Sequence, residues 1–507
     1  MNLLVLYHRI TREEFFLKLM KLHKKHTTPP PKTHYVATMT SKNNIVISVV
    51  ALSISVFITG CTNEVSEDYT DTTSDIESGL DIVDTEVEET GEQTGDPNMA
   101  LRLTSSSPPA NLLVISVDTI RGDFVYGEAG NVELPFIAEL MANGLVLKNH
   151  QSCSNWTVPS LYCLLTGRNT TEIGYHPTGM EEHELPASEY TIAERLSDAG
   201  FATQFLTSNP VTKSSSAISQ GSQDFVPMFK STATEVTDGA IEMMSALGDS
   251  GWYSQIHYYD PHSEYNPPEE YLVGVDQLVP TGIDVRNAAD INQLRTLEGD
   301  LSEAEMDALR AHLHTYYNGE LRYLDSELRR LFDSLDATGR LDNTLVMFIG
   351  DHGEQHFDHG KTQHGRDLFQ EETRVPALFW MKDGGIEVGE WDEATTHADI
   401  LPTLFEAMGI PYLITDIPLT GVPVGTATSR TLTAIHAKDR GSAVRVERDN
   451  HELILRLDGR IELYTVNADH LESENLYTQN HPYLDELLEE AEVLVDRLRE
   501  ITPILRP

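Results

Sequence analysis

Positive charge is what this chain lacks most. Its 36 lysines and arginines stand against 80 aspartates and glutamates, a formal net charge of −44 with a pI near 4.6. A nucleic-acid-binding protein needs a basic face to displace counterions from phosphates, and this balance argues against one. Cysteine is also scarce, with three in 507 residues, too few for a disulfide framework to carry the fold. Long apolar runs are missing: residues 45–58 fall short of the roughly 20 a membrane-spanning helix requires. From residue 62 to 101 lysine and arginine are absent altogether, while Asp, Glu, Ser, Thr and Gly dominate. Such a stretch buries too little apolar surface to offset its ordering entropy, and 62–108 reads as a disordered acidic linker.

What is present begins near the N-terminus. Met39-Thr-Ser-Lys-Asn-Asn, the apolar run and Ile58-Thr-Gly-Cys61 have the charge, length and small residues of a secretory signal over 39–61. The end of that run resembles a bacterial lipobox. The resemblance implies lipidation of Cys61 and anchoring at the bacterial cell envelope, on the outer membrane or the periplasmic face. Residues 1–38 are basic, carry Pro29-Pro-Pro31, and fit either a start assigned too early or a basic extension. With Cys61 lipidated, Cys153 and Cys163 are left to each other in an oxidising compartment. A disulfide and a pair of small buried hydrophobes are both open.

Roughly 400 residues remain, enough for one large domain over 109–415 and a smaller C-terminal subdomain over 416–507. Asn111-Leu-Leu-Val-Ile-Ser-Val-Asp118 and Thr344-Leu-Val-Met-Phe-Ile-Gly-Asp351 are apolar runs that each end in an acid. They read as strands buried on both faces of a parallel sheet. Ligands of such sheets bind beyond the carboxyl ends of the strands, so Asp118 and Asp351 are expected to emerge together with His352. Between them the pattern predicts a helix over 135–147, a second over 190–199, strands over 201–206 and 252–259, and a long helix over 302–335. This rhythm implies an α/β fold with a mostly parallel sheet and helices on both faces.

The order Val117-Asp-Thr-Ile-Arg-Gly-Asp123, Thr157-Val-Pro-Ser160 with Thr166-Gly167, Asp260-Pro-His262, Asp351-His-Gly-Glu354 and Arg374-Val-Pro376 resembles the sulfatase family of the alkaline phosphatase superfamily. Asp399-Ile-Leu-Pro-Thr403 and Glu462-Leu-Tyr464 extend the resemblance to about residue 480. It implies an alkaline phosphatase-like fold with an α+β C-terminal part. It also implies one divalent metal ion held by Asp118, Asp351 and His352, with Thr157 as both ligand and nucleophile. The donor set leaves zinc, manganese and calcium open. Pro159 suits a first helical turn, so backbone amides and the helix dipole are expected to face an incoming anion. His262 and His364 match positions that hold the transferred group or protonate the leaving oxygen, work suited to imidazole.

The departures matter as much. Typical members carry Cys or Ser at the nucleophile position, followed by x-Pro-x-Arg, and oxidise it to formylglycine. Here Thr157 is followed by Leu161 in place of the arginine. A secondary alcohol cannot yield that aldehyde, so no formylglycine is expected. The position after Asp118, often a second acid, is Thr119. The lysine–histidine motif is replaced by Ser208-Asn-Pro210, where Asn209 is either a substitute donor or a turn residue. His359 and Lys361 are candidates to contact substrate, His356 reads as a solvated loop histidine, and Arg374 as a residue pairing with a carboxylate. The expected activity is ester hydrolysis through a covalent Thr157 intermediate, with phosphate mono- or diesters favoured over sulfate. The substrate would be a small molecule, a glycan or a lipid ester. Two other readings remain: an envelope phosphoethanolamine- or phosphoglycerol-type transferase, and a non-catalytic surface lipoprotein.

Overall fold

The computed structural model describes residues 101–176, 185–213, 218–274, 282–412, 417–426, 430–437, 442–466, 472–477 and 481–502, together with the backbone of 36–39 and 45–48. Residues 1–89 cluster apart from 90–507. In the first unit Val36–Met39 and Ile45–Ser48 pair antiparallel. Cys61, the rest of the 39–61 signal and most of the 62–108 linker lie outside the described residues.

The second unit is an α/β domain around an eight-stranded sheet. Its strands are β1 (Asn111–Val117), β2 (Gly144–Leu147), β3 (Ala202–Thr207), β4 (Asp224–Pro227), β5 (Trp252–Tyr258), β6 (Thr344–Gly350), β7 (Ala377–Trp380) and β8 (Gly389–Trp391). They lie in the order β8-β2-β7-β6-β1-β5-β3-β4, and only β7 runs against the rest. In β1 every residue is buried. Leu113, Ile115 and Val117 face one apolar layer, and Leu112 and Val114 face the other. The period-two alternation of a strand thus feeds two cores. The first layer holds α1 (Pro135–Ala142), and the second holds α2 (Thr157–Thr166) and α3 (Ile192–Asp198). Against the first also lie α4 (Ala233–Ser245) and the 35-residue α5 (Glu303–Ala337). Helix α6 (Ile400–Ala407) completes the second.

Helix α1 is shorter than its sequence suggests. It stops at Ala142, and 144–147, expected as its last turn, form β2. Gly144 explains the switch: a Cβ there would lie 2.5 Å from the carbonyl oxygen of Phe379, so glycine lets β2 and β7 approach.

Four antiparallel strands follow, Leu432–His436, Ala443–Arg448, His451–Arg456 and Ile461–Thr465. Helix α7 (Leu484–Ile501) packs Leu487, Ala491 and Leu498 on one face of this sheet. The sheet's edge reaches the main domain where Ile435 N–H donates to Cys153 O (2.9 Å) and Ser154 Oγ to Ile435 O (2.6 Å). It thereby braces the loop that leads into α2.

Candidate active site

Strands β1, β5 and β6 end side by side, and the residues just beyond them converge. Asp118 N–H donates to Tyr258 O and Asp351 N–H to Val117 O, both at 3.0 Å, so the ladder itself fixes the two acids. Donor atoms of Asp118, Asp351 and His352 all lie within 4.8 Å of one another, and all three side chains are fully buried. Thr157 is the first residue of α2. Its Oγ1 is 3.4 Å from His352 Nε2, which is also 3.4 Å from Asp118 Oδ1 and 3.7 Å from Asp351 Oδ2. No side chain caps this end of α2. Its first amides and dipole are therefore available to an anion bound at Thr157. The Cys153–Cys163 sulfurs are bonded, tying the loop before Thr157 to the helix after it.

Asn209 joins the cluster as well. Its Nδ2 donates to Thr157 Oγ1 (3.2 Å) and to Asp118 Oδ2. Its Oδ1 accepts from Val211 N–H (2.7 Å), so one side chain both shapes the turn and donates into the site.

Burial opposes ionisation of Asp118, yet the imidazoles around it, His262 foremost, hold its carboxyl well below the usual range. Burial and then the charge of Asp118 push Asp351 well above it. Burial, reinforced by His364, lowers His352 to about 3, so it stands neutral with a lone pair to give. Two unsolvated carboxylates this close cannot both ionise without a cation between them. Asp118 Oδ1, Asp351 Oδ2 and His257 Nε2 are buried without a hydrogen-bond partner among the described residues. Orphaned donors of this kind, on two acids and an imidazole, fit a divalent metal ion.

His262 and His364 sit beside the cluster. The His364 ring lies 4.5 Å from that of His352 and 4.9 Å from that of His262. His364 Nδ1 meets Glu354 Oε1 at 3.0 Å. Burial works against the Glu354 charge, but His364, His262 and His356 bring its pKa to about 2. The carboxylate therefore accepts from Nδ1–H and leaves Nε2 of His364 for proton exchange.

Other candidates have their partners outside the cluster. His359 stacks on Phe369 (3.7 Å) and meets Glu371 at 2.6 Å, while Lys361 pairs with Asp367. These contacts tie loops together rather than joining the metal cluster. Arg374 pairs with Glu128 (2.5 Å) and donates to Lys148 O (3.0 Å), holding its loop. His356 is not solvated as expected: it is 1 % exposed, packed among Phe124, Tyr265, His314 and Tyr317. Gly353 follows His352 because a Cβ there would lie 2.0 Å from Glu371 O.

Two contributors were not anticipated. His257, on β5 beside Ser116, puts Nε2 3.7 Å from Asp118 Oδ2 and 3.9 Å from Asp351 Oδ2. Its signal was a histidine in an otherwise buried strand, just before the strand's carboxyl end. His397 and His150 form a relay behind Asp351. His397 Nε2–H donates to Asp351 O, and His150 Nε2–H to His397 Nδ1, both at 2.9 Å. A carbonyl only accepts, so this first bond fixes both tautomers.

Comparison with known proteins gives the family. The sulfatase family model matches residues 110–410. The chain belongs to the sulfatase family, within the alkaline phosphatase superfamily. It is 23% identical over 381 residues to an arylsulfatase of Clostridium perfringens, covering 61% of this chain and 77% of that protein. Among solved structures, a protein in complex with its substrate D-glucosamine-2-N,6-O-disulfate superposes with a TM-score of 0.60 at 15% identity, over 78% of this chain and 99% of the other. The phosphonate monoester hydrolase of Agrobacterium radiobacter gives 0.59 at 17% identity, over 78% and 96%. Like them, the chain has a large, mostly parallel sheet flanked by helices. Its family makes it a hydrolase of sulfate or phosphate esters.

Proposed function

We propose that this enzyme is a metal-dependent phosphoesterase, turning over phosphate mono- or diesters in preference to sulfate esters through a covalent Thr157 intermediate. One observation carries the reading. The hydroxyl that touches the metal cluster belongs to threonine, which cannot become formylglycine, and it stands at an uncapped helix N-terminus.

Asp118, Asp351, His352 and Thr157 would hold the metal. A bound divalent ion lowers the pKa of a coordinated hydroxyl and neutralises charge on non-bridging oxygens. Thr157 Oγ1, its proton already given up to solvent, attacks the ester phosphorus as the P–O bond to the leaving alcohol breaks, and a phosphothreonine ester remains. Asn209 Nδ2 and the first amides of α2 hold the anion. His262, or His364 with Glu354 behind it, gives the leaving oxygen its proton, and the same imidazole takes one back from the water that frees Thr157. Lipid attachment at Cys61 on the cell envelope, with small-molecule, glycan or lipid esters as substrates, completes the proposal.

A panel of aryl phosphate, phosphodiester and sulfate substrates tests it, with native and Thr157→Ala enzyme under several divalent metals. Phosphodiester or phosphate turnover should exceed sulfate turnover and vanish in the variant. Equal activity of Thr157→Ala, or a preference for sulfate, would overturn it. An added acceptor alcohol separates a hydrolase from a transferase by its product.

A further inference from the structure

We infer that His257 is an additional metal ligand. It would take the place left by Thr119 and turn an oxygen-rich site into one that selects zinc or a similar transition ion over calcium. The role exists only if the cluster holds a cation, as proposed above.

Thr119 follows Asp118 but brings no acid. Its φ of +51° turns its backbone instead, so that Thr119 N–H donates to Asp351 Oδ1 at 3.3 Å. The neighbouring strand supplies what is missing. Ser116 and His257 face each other in the parallel pairing of β1 with β5, and Ser116 Oγ lies 2.9 Å from His257 Nδ1. With Nδ1–H donating to that oxygen, Nε2 carries the lone pair. This is the outer-partner arrangement that orients metal-bound histidines.

That nitrogen is fully buried and has no hydrogen-bond partner among the described residues. It faces Oδ2 of both acids, at 3.7 and 3.9 Å. These separations are too long for hydrogen bonds. They approach the edge of about 3.4 Å between neighbouring donors around a tetrahedral zinc ion. Nor would a purely structural histidine be expected to leave its nitrogen unsatisfied against two acids, because burying an unpaired polar atom is costly. Calcium prefers six to eight oxygens, whereas imidazole favours zinc, copper, iron or nickel. Two imidazoles, two carboxylates and one hydroxyl therefore favour a transition ion.

The test uses the full chain, stripped of metal by a chelator, as native protein and as His257→Ala, His257→Gln and Ser116→Ala. Zn²⁺ and Ca²⁺ are titrated by calorimetry, and the visible spectrum of the Co²⁺-loaded protein is recorded. Native protein should bind Zn²⁺ more tightly than Ca²⁺. Losing Nε2 should weaken Zn²⁺ by more than about 100-fold and Ca²⁺ by less than about tenfold, and Ser116→Ala should weaken Zn²⁺ by about 10–100-fold. The Co²⁺ bands should shift in both His257 variants. Gln fills the imidazole's space, so it carries the test if the Ala variant does not fold. Zn²⁺ affinity within threefold of native in the His257 variants, or unchanged Co²⁺ bands, overturns the assignment while leaving the esterase reading intact. Absence of ester turnover in a protein that binds Zn²⁺ through His257 would do the reverse. A native protein that binds neither ion would sink both.

Discussion

Replacing Asn209 separates what its two ends do. Its Nδ2 donates to Asp118 and Thr157, and its Oδ1 takes the Val211 amide at 2.7 Å. Asn209→Asp keeps an acceptor for Val211 but has no donor, whereas Asn209→Ala loses both. A hydrogen bond to a charged group contributes about 1.5–3 kcal/mol. If the amide's bonds matter most when Thr157 carries negative charge, kcat/KM should fall by about 10–150-fold in the alanine variant. The aspartate should fall at least tenfold further. It adds a third carboxylate next to Asp118 and Asp351, and against a negatively charged Thr157 oxygen at 3.2 Å the repulsion is roughly 5 kcal/mol at an effective dielectric of 20 before screening. The assay is steady-state hydrolysis of an aryl phosphodiester at saturating metal, with metal content measured on each sample. An aspartate variant as active as native protein refutes the donor role. Loss in alanine with retention in aspartate would show that only the turn matters.

Acid should destabilise the fold through buried neutral histidines. Burial, with His436 adding, lowers His176 to about 3, so between 6.5 and 3 the unfolded chain binds a proton that the native one does not. The contribution is complete above pH 6.5 and lost as pH falls through that window, about 2 kcal/mol by pH 5. Urea unfolding of native and His176→Gln protein at pH 7.5 and 5 should show the variant losing less on acidification; equal losses would contradict this. The Cys153–Cys163 bond closes a loop with sequence separation 10, which stabilises by about 3 kcal/mol in the chain-entropy model. Cys163→Ser should lower the midpoint of urea unfolding accordingly under non-reducing conditions, while reduced native protein should match the variant. Unchanged stability would assign the bond no such effect.

The parts of the fold legible in the sequence are those where one physical pattern dominates. Strands β1 and β6 are apolar throughout because both faces are buried, and each stops at an acid because the chain there leaves the sheet. β2 was hidden because 135–147 keeps helical spacing, and only the packing of Gly144 against β7 decides otherwise. The acids, His352 and Thr157 were readable because each sits beside a motif. His257 and the His397–His150 relay were not, since their meaning lies in which strand is adjacent. That is set by the order of the sheet, which one-dimensional spacing does not carry. His356 misled for the opposite reason: a histidine-dense polar loop suggests solvent, but Phe124 and the tyrosines of α5 and its surroundings enclose it.

The composition and the site pull in opposite directions, and the fold reconciles them. A chain with a net charge of −44 repels an anionic ester at long range. That field is screened within about 8–10 Å at physiological salt, so what decides binding is the charge the anion meets at contact. At contact the carboxylates of Asp118 and Asp351 face inward, where a cation would neutralise them. Beside them stand the Asn209 amide, the uncapped end of α2 and the imidazoles of His262 and His364. Acidic residues thus serve two unrelated purposes here, solvating the surface and building the cation's cradle.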